Sequence, residues 1–439
     1  MKEKIKAARE AGHHKIRIAV TDIDGVLRGK YISLDKLEAM DDLSFGFCNV
    51  IFGWDINDAV YDQSEKTGWQ YGYPDALATL DASTWRNIPW QAGVPSLLGD
   101  LSNDPNLASI CPRTLLKTIL AAYEKLGIYP KVGPEYEWFN FNERPDTLTS
   151  KPKPLTPGMF GYSLLRTSMH YDFVDDLFEV CKLYDIGLEG LHTETGDGVY
   201  EAAIAYDDAL KAADKAILFK STVKEIAYRH DIMASFMAKW NPNLPGCGGH
   251  MHITLHDSQG NNLLEHNRKE SAELRDQFTA GMLATLPHLM PMYAPIINSY
   301  KRYVEGSWAA TSVSWGHENR TTAVRYIEKK ENTRIEMRVP GADANPYLAM
   351  AAALAGGFYG INNHLQAPKA IQGNAYLEDL QKLPNNLQDA TEKMASSQIA
   401  PELLGKDFVQ HFITTRRWEV SQYQKAVTDW EINRYFELI

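Results

Sequence analysis

The 439-residue sequence is poor in cysteine and has no excess of basic residues. Its four cysteines lie far apart, with no C-x-x-C pair: Cys48, Cys111, Cys181 and Cys247. This spacing argues against a cysteine zinc motif and a disulfide framework, and it favours free thiols in a reducing compartment. We therefore predict a cytoplasmic protein.

Positive charge is scarce as well, because 45 Lys and Arg face 56 Asp and Glu, for a net charge of −11. A nucleic-acid-binding surface needs clustered basic residues, so we predict no nucleic-acid partner. The longest uncharged run of the C-terminal half is residues 344–362, and its strongly apolar part is too short to cross a bilayer. We expect a buried helix there and no membrane association.

Glycine-rich phosphate-binding motifs are also missing, since neither G-x-x-x-x-G-K-[ST] nor G-x-G-x-x-G occurs. Side chains would have to hold any bound phosphate. Arginine forks match phosphate and carboxylate oxygens, and four arginines stand in polar, aromatic segments: Arg302, Arg320, Arg325 and Arg338. Each of them could instead form a surface ion pair.

The pattern of the chain predicts an α+β protein with a small and a large domain. Residues 15–33 alternate in polarity around an Asp-Gly turn, as a β-hairpin does, and residues 101–112 are rich in turn formers. We place the domains at 1–105 and 106–439. Amphipathic helices are predicted in the second domain at residues 113–126, 171–183, 207–229 and 270–293.

Four short segments of the large domain pair polar side chains in otherwise apolar strands. The pairs are Glu135 and Glu137, His250 and His252, Glu336 and Arg338, and Glu194 and Glu201 on either side of a glycine turn. Residues two apart in a strand share one face, and a buried carboxylate costs several kcal/mol unless a cation or hydrogen bonds compensate it. Carboxylates with an occasional imidazole suit Mg²⁺ or Mn²⁺. A single acid pair could equally lie on a solvated strand edge.

These segments together resemble the glutamine synthetase family, which includes the γ-glutamyl-amine ligases. The motifs follow in order: GPEYEWFNF, HTETGDGVYEAA, LPGCGGHMH, NSYKR, WGHENRTTAVR and RIEMRVPGADANPYLA. A weaker likeness covers DASTWRNIPW and the segment around Asp55. The resemblance implies a small N-terminal β-grasp domain and a large glutamine synthetase-type catalytic domain, with an antiparallel sheet and flanking helices.

The resemblance also implies roles for the matching residues. One metal would be held by Glu137, Glu194 and Glu201. The second would be held by Glu135, His250 and Glu336. His252 would face the nucleotide phosphates, and glutamate would be bound by Arg302, Arg338 and the loop at Gly246. Charge on the γ-phosphate would be neutralised by Arg320 and Arg325. Asp55 would reach the amine site of a neighbouring subunit.

By the same resemblance, the substrates are ATP, L-glutamate and an amine, and two or more Mg²⁺ or Mn²⁺ ions are bound. Glutamate attacks ATP to give γ-glutamyl phosphate, and the amine then displaces phosphate. The family also implies a homo-oligomer, a dodecamer of stacked hexameric rings.

The sequence departs from glutamine synthetases in a flap that follows NSYKR. Trp308 aligns with a glutamate that helps deprotonate ammonium, although another alignment would let Glu305 serve. An indole removes a group that stabilises a cation and supplies an apolar wall, so we predict an organic primary amine as acceptor. Val199 and Pro245 also replace a glutamine and an asparagine that are usual near glutamate.

Three alternatives remain. The first is a glutamine synthetase that uses ammonia. The second is a non-catalytic relative similar to lengsin, which loss of metal ligands would mark, whereas all six are present here. The third is a haloacid-dehalogenase-like phosphatase, based on the D-x-D-G at Asp22 and Asp24. A hairpin turn explains that motif more simply, and Asp207-Asp208, the later acidic pair, falls in a helical pattern.

Overall fold

The first 100 residues build a six-stranded sheet in the computed structural model. The structure describes residues 1–40, 42–149, 151–265 and 269–439. The strands are β1 (Lys15–Thr21), β2 (Leu27–Ser33), β3 (Ser44–Cys48), β4 (Asp75–Leu80), β5 (Arg86–Ile88) and β6 (Val94–Asp100). Their order is β2-β1-β6-β4-β3, with β5 beside β6. Helices α1 (Lys2–Glu10) and α2 (Leu34–Glu38) contribute Ile5 and Leu37 to the core of this sheet. The predicted hairpin of residues 15–33 is confirmed, and these strands support the expected β-grasp arrangement.

A nine-stranded sheet forms the centre of the remaining chain. Its strands are β7 (Tyr129–Phe141), β8 (Leu188–Thr193), β9 (Val199–Ile204), β10 (Asp207–Asp208), β11 (Met233–Ser235), β12 (Gly249–His256), β13 (Trp315–His317), β14 (Val324–Ile327) and β15 (Arg334–Met337). The order is β13-β14-β15-β12-β7-β9-β8, and β10 and β11 also pair with β7. Of the described pairs in this large sheet, only β13 and β14 run parallel, so the expected antiparallel sheet carries one parallel edge.

Ten helices of the described chain accompany the large sheet. They are α3 (Pro112–Glu124), α4 (Leu164–Ser168), α5 (Tyr171–Leu183), α6 (Ala209–Arg229), α7 (Lys269–Tyr293), α8 (Pro346–Asn362), α9 (Leu387–Ala395), α10 (Ile399–Leu404), α11 (Lys406–Lys425) and α12 (Asp429–Tyr435). The predicted helices exist within a few residues of their expected bounds. One detail was wrong: Asp207–Asp208 pairs with Val132 and Lys131 of β7, and the helix begins only at Ala209. None of the described helices is long and apolar enough to cross a bilayer.

Helix α8 is the buried helix expected at residues 344–362. The side chain of Asn345 accepts a hydrogen bond from the amide of Tyr347, which caps the helix before Pro346 in its first turn. Its alanines and glycines let α7 approach closely, because a Cβ on Gly281 would lie 2.2 Å from the carbonyl oxygen of Gly356. Small residues are therefore a packing requirement where these two helices meet.

A buried ionic cluster joins the small sheet to helices α3 and α6. Arg113 on α3 bonds Asp100 of β6 at 2.6 Å and Asp214 of α6 at 2.9 Å. A buried arginine is tolerated only with its charge and donors satisfied, so this cluster fixes the small sheet against α6. Strand β6 ends at Asp100 and α3 begins at Pro112, and the proposed boundary at 105 stays a prediction within that linker.

Candidate active site

One cavity of about 630 Å³ opens on the large sheet and collects nearly every predicted site residue. Its walls include all six predicted metal ligands, namely Glu135, Glu137, Glu194, Glu201, His250 and Glu336. They also include the other predicted groups His252, Gly246, Trp308, Arg302, Arg320, Arg325 and Arg338. Asp55 is the one predicted residue that does not line it.

Strand register explains why residues so distant in sequence meet here. Glu135 lies opposite His250 where β7 pairs with β12, and Glu137 lies opposite Glu201 where β7 pairs with β9. Directly opposed residues have neighbouring side chains, and alternate residues keep to one face. The three central strands therefore present their polar side chains to the same side of an otherwise apolar sheet.

The ligand set predicted for the second metal is assembled in the structure. Donor atoms of Glu135, His250 and Glu336 all lie within 4.8 Å of one another. The Nδ1 atom of His250 is 3.9 Å from a Glu135 oxygen and 3.8 Å from a Glu336 oxygen. Two carboxylates and an imidazole at this spacing could hold a divalent cation.

The other candidate cluster has a membership that the sequence did not predict. Donor atoms of His192, Glu194 and Glu201 lie within 4.8 Å of one another. Glu137 lines the same cavity, but its Oε2 accepts a hydrogen bond of 2.6 Å from the amide of Gly248. His192 stands two residues before Glu194, so the strand alternation used for Glu135 and Glu137 could have identified it.

Negative charge accumulates at this end of the cavity. Burial, together with the nearby carboxylates Glu137 and Glu135, raises the pKa of Glu201 to about 10. Burial also raises the pKa of Glu137, against the influence of Arg302. Carboxylates that repel one another in a buried site are stabilised by a cation, so these residues fit divalent metal.

Positive charge dominates the other side of the cavity. Glu336 accepts hydrogen bonds from Arg338 at 2.6 Å and from Arg325 at 3.1 Å. Although burial opposes it, Arg338 and His250 lower the pKa of Glu336 to about 2. Burial and Arg338 lower the pKa of His250 to about 3, so this imidazole is neutral and can donate a lone pair to a metal.

His252 is oriented by two neighbours. Arg334 donates from Nε to its Nδ1 over 3.1 Å, and its Nε2 lies 3.0 Å from Glu135. Because Nδ1 accepts, the ring proton sits on Nε2, the nitrogen nearer to Glu135. Arg334 and Lys329 extend the cationic wall into an adjoining cavity of about 380 Å³. No sequence pattern had singled out either of them.

The residues predicted to bind glutamate form a rigid corner. Arg302 is buried and donates to the carbonyl oxygens of Val339 at 2.9 Å and Arg338 at 3.3 Å. A Cβ on Gly246 would lie 2.4 Å from the carbonyl oxygen of Ala238 and 2.9 Å from Cγ of Arg302. Only glycine fits this position without displacing the arginine.

The flap, residues 303–309, places its two candidate side chains differently. Trp308 lines the cavity, whereas Glu305 points to the surface and forms a 2.9 Å ion pair with Lys382. The hydroxyl of Tyr376 donates to the carbonyl of Ala309 over 3.0 Å and anchors the end of the flap. Trp308, which is 59% exposed, therefore borders the cavity at its rim, and Glu305 does not border it in this conformation.

A second aromatic residue stands at the acidic end of the cavity. The ring of Tyr162 stacks on His192 with centroids 4.2 Å apart. Pro245 also lines the cavity, while Val199 is buried in β9 and does not. Tyr162 belongs to a loop without a strand or helix period, so no signal in the sequence could have revealed it.

Asp55 lies in the small domain, away from the cavity. Its Oδ2 accepts a 2.9 Å hydrogen bond from the indole of Trp418, and its Oδ1 accepts from the amides of Asn57 and Ala59. These bonds hold its loop in one conformation. Its expected position in a neighbouring subunit's site stays a prediction.

Residues 109–435 match the family model described as glutamine synthetase, catalytic domain. The chain belongs to the glutamine synthetase family. It is 47% identical to "Type-1 glutamine synthetase 2" of Dictyostelium discoideum, over 97% of this chain and 84% of that protein. It is 37% identical to "Glutamate--isopropylamine ligase" of a Pseudomonas species, over 97% of this chain and 95% of that one. The solved structure titled "GmaS/ADP complex-Conformation 1" superposes with a TM-score of 0.86 and 28% identity, covering 99% of this chain and 100% of the other.

The family uses ATP and divalent metals, and its members act on glutamate with an amine or ammonia. The cavity described above agrees with that chemistry, since it combines acidic donors with a wall of arginines. A non-catalytic relative that had lost its ligands is disfavoured, because the described cavity contains all six residues predicted as ligands.

Proposed function

We propose that this protein phosphorylates the γ-carboxylate of L-glutamate with ATP and couples it to an organic primary amine, giving a γ-glutamylamide. One observation carries the choice of acceptor: Trp308 lines the cavity, and Glu305 is turned away to Lys382. An apolar wall favours an alkyl or aryl group over ammonium, which needs hydrogen-bond acceptors on every side.

The reaction proceeds in two steps that conserve all atoms. A γ-carboxylate oxygen of glutamate attacks the γ-phosphorus of ATP, and the bond from that phosphorus to the bridging oxygen of ADP breaks. The amine nitrogen then attacks the acyl carbon of γ-glutamyl phosphate. The C–N bond forms, the C–O bond to phosphate breaks, and the nitrogen releases a proton. Such a sequence is catalysed mainly by positioning and by stabilisation of charge.

Two clusters are assigned to divalent metals, Mg²⁺ or Mn²⁺. One comprises Glu135, His250 and Glu336, and the other comprises Glu194 and Glu201 with Glu137 or His192. When bound, the metals neutralise phosphate charge and bring the nucleotide to the acidic face. His252, fixed by Arg334, is assigned to the phosphates of the nucleotide.

The arginines divide between the two anionic substrates. Arg302 and Arg338, together with the backbone at Gly246, are assigned to the carboxylates of glutamate. Arg320 and Arg325 face the same space and are assigned to the phosphoryl group as it moves, where guanidinium forks stabilise the equatorial oxygens. Arg325 already bonds Glu336 and Glu318, which holds its fork in place before substrate binds.

The amine is assigned to the space between Trp308 and the stacked pair of Tyr162 and His192. Its ammonium form would be held near Glu194 and Glu201 before it loses a proton. We also assign the protein to the cytoplasm and to a dodecamer of stacked hexameric rings. In that assembly Asp55 would complete the amine site of the next subunit.

A second candidate is synthesis of glutamine from ammonia. It is supported by the 47% identity to the Dictyostelium protein, whose name states that activity. Trp308 argues against it, since an indole cannot take a proton from ammonium.

The two candidate functions are distinguished by an assay of phosphate release in the presence of ATP, Mg²⁺ and glutamate. The assay compares ammonia as the acceptor with a panel of alkylamines, arylamines and polyamines. We expect at least one organic amine to exceed ammonia in kcat/KM by more than about tenfold, equivalent to about 1.4 kcal/mol in transition-state binding. If ammonia is the best acceptor, the assignment to organic amines is wrong. Absence of release with every acceptor would favour a non-catalytic relative.

A further inference from the structure

A second cavity of about 570 Å³ lies between the small domain and the C-terminal half of α6. Trp90 and Gln91 close one side, and Lys224, Tyr228 and Met233 close the other. It shares no lining residue with the active-site cavity, and no step of the proposed reaction uses it.

The apolar walls of this cleft are held in place by their neighbours. The indole of Trp90 packs edge-on against Tyr184 at 5.1 Å, and its Nε1 donates to Glu225 over 2.6 Å. On the opposite wall, the guanidinium of Arg144 covers the ring of Tyr228 at 5.5 Å. Rings fixed in this way give a preformed surface for a planar or branched apolar group.

The carboxylates that line the cleft already have hydrogen-bond or ion-pair partners within the protein. Glu225 pairs with Arg17 at 3.2 Å in addition to its bond from Trp90. Glu143 accepts a hydrogen bond of 2.8 Å from Thr147 and one of 3.0 Å from the amide of Lys153. Neither carboxylate is turned to the lysine on the cleft wall.

Lys224 is that lysine, and it forms no ion pair within the described ranges. Its side chain is exposed on the cleft wall, and its Nζ lies 5.8 Å from the ring centroid of Phe236. Arg229 adds a second positive charge, with one guanidinium nitrogen donating to the carbonyl of Trp90 over 3.1 Å. The cleft thus combines an uncompensated cation with aromatic walls.

We propose that this cleft binds a small carboxylate with an aromatic or branched apolar body, the carboxylate on Lys224 and the body between Trp90 and Tyr228. An anion would give Lys224 the partner that the protein itself does not supply. The apolar body would remove the facing aromatic walls from water. Helix α6, which lines this cleft, also packs on β7, and β7 carries Glu135 and Glu137 of the active-site cavity.

The test is calorimetric titration of the full-length protein with 3-phenylpropionate, with its neutral amide as the comparison ligand. We expect one site per chain, and binding of the amide at least about tenfold weaker, because it lacks the charge. Lys224→Gln should raise the Kd for the acid by at least about tenfold, and Lys224→Arg should leave it within about threefold. Tyr228→Leu should also weaken binding.

Lys211→Gln on the same helix is the matched control, since Lys211 already pairs with Asp208 at 3.0 Å and lies outside the cleft. It should leave the Kd unchanged. Three results would overturn the proposal: equal affinity for acid and amide, an unchanged Kd in Lys224→Gln, or no heat of binding up to about 10 mM ligand. The last result is expected if a second copy of the chain covers the cleft. None of these results depends on which amine the active site uses.

Discussion

Arg338 donates from Nη2 to the main-chain carbonyl of Trp308 over 3.3 Å, while its Nη1 bonds Glu336 at 2.6 Å. The arginine assigned to glutamate is therefore joined directly to the residue assigned to the amine wall. Trp308 adopts a left-handed backbone with φ of 62°, which costs energy for any residue with a Cβ. The contact uses only the backbone, so exchanging the Trp308 side chain alters the amine wall and leaves the arginine contact available.

Trp308→Glu tests that wall. A carboxylate at this position accepts hydrogen bonds from ammonium and helps remove its proton, so kcat/KM for ammonia should rise by at least about tenfold. The same change should reduce kcat/KM for the preferred organic amine, because the apolar surface is lost. Trp308→Phe keeps that surface and should not gain ammonia turnover. Equal ammonia turnover in both variants would contradict the role assigned to Trp308.

Glu305→Gln tests the alternative alignment of the flap. Glu305 is exposed and pairs with Lys382, and exposed ion pairs contribute only about 0 to 1 kcal/mol. Turnover with ammonia and with organic amines should therefore stay within about twofold of the unsubstituted protein. A selective loss of ammonia turnover would show that Glu305 enters the cavity during catalysis.

Glu137→Ala tests the metal assignment. Removing this carboxylate from the acidic end of the cavity should reduce phosphate release by at least about 100-fold with any acceptor, because metal positioning contributes several kcal/mol. Binding of Mn²⁺, followed by its paramagnetic signal, should weaken in parallel. Glu124→Gln at the exposed end of α3 is the control and should change neither quantity. Normal activity in Glu137→Ala would remove Glu137 from the metal site.

Lys220→Met tests a buried charge next to the catalytic sheet. Burial and the nearby charge of Lys224 lower the pKa of Lys220 to about 7, against the opposing influence of Asp343. Below this pKa the lysine is protonated in both the folded and the unfolded protein. Between about pH 7 and its unfolded value of 10.5, only the unfolded protein keeps the proton, so stability rises with pH.

The measurement is urea unfolding at about pH 7, 8 and 9. Relative to Lys220→Met, the unsubstituted protein should gain up to about 1.4 kcal/mol of unfolding free energy per pH unit. Lys211→Met, which removes an exposed lysine from the same helix, should give no such difference. Parallel pH profiles for the unsubstituted protein and Lys220→Met would show that Lys220 stays charged in the fold.

Much of the fold could be read from local patterns. The alternation of residues 15–33 predicted the first hairpin, and apolar spacing predicted α5 with the bounds Tyr171–Leu183. The pattern failed at Asp207–Asp208, where a helical period continued through two residues that the structure pairs with β7. Pairing with a strand some 75 positions away is a tertiary contact, and no local period encodes it.

The residues of the candidate site likewise include some that a local sequence pattern predicts and others that only the fold brings to the cavity. Alternation placed Glu135 with Glu137, and His250 with His252, on one face, since that follows from the pleat of a single strand. His192 obeys the same rule beside Glu194 and could have been found. Tyr162 and Arg334 reach the cavity through loop and register positions, which the sequence does not display.

The sequence by itself determined which polar residues share a strand face, that their carboxylates need a cation, and to which family the motifs belong. Only the tertiary structure decided which faces meet, that Trp308 and not Glu305 borders the cavity, and that Lys224 lacks a carboxylate partner within the described residues. The physical reason is the separation along the chain between the residues that each feature depends on. Side-chain alternation is fixed by the geometry of one strand, whereas strand register, loop paths and charge pairing depend on contacts between residues far apart in the chain.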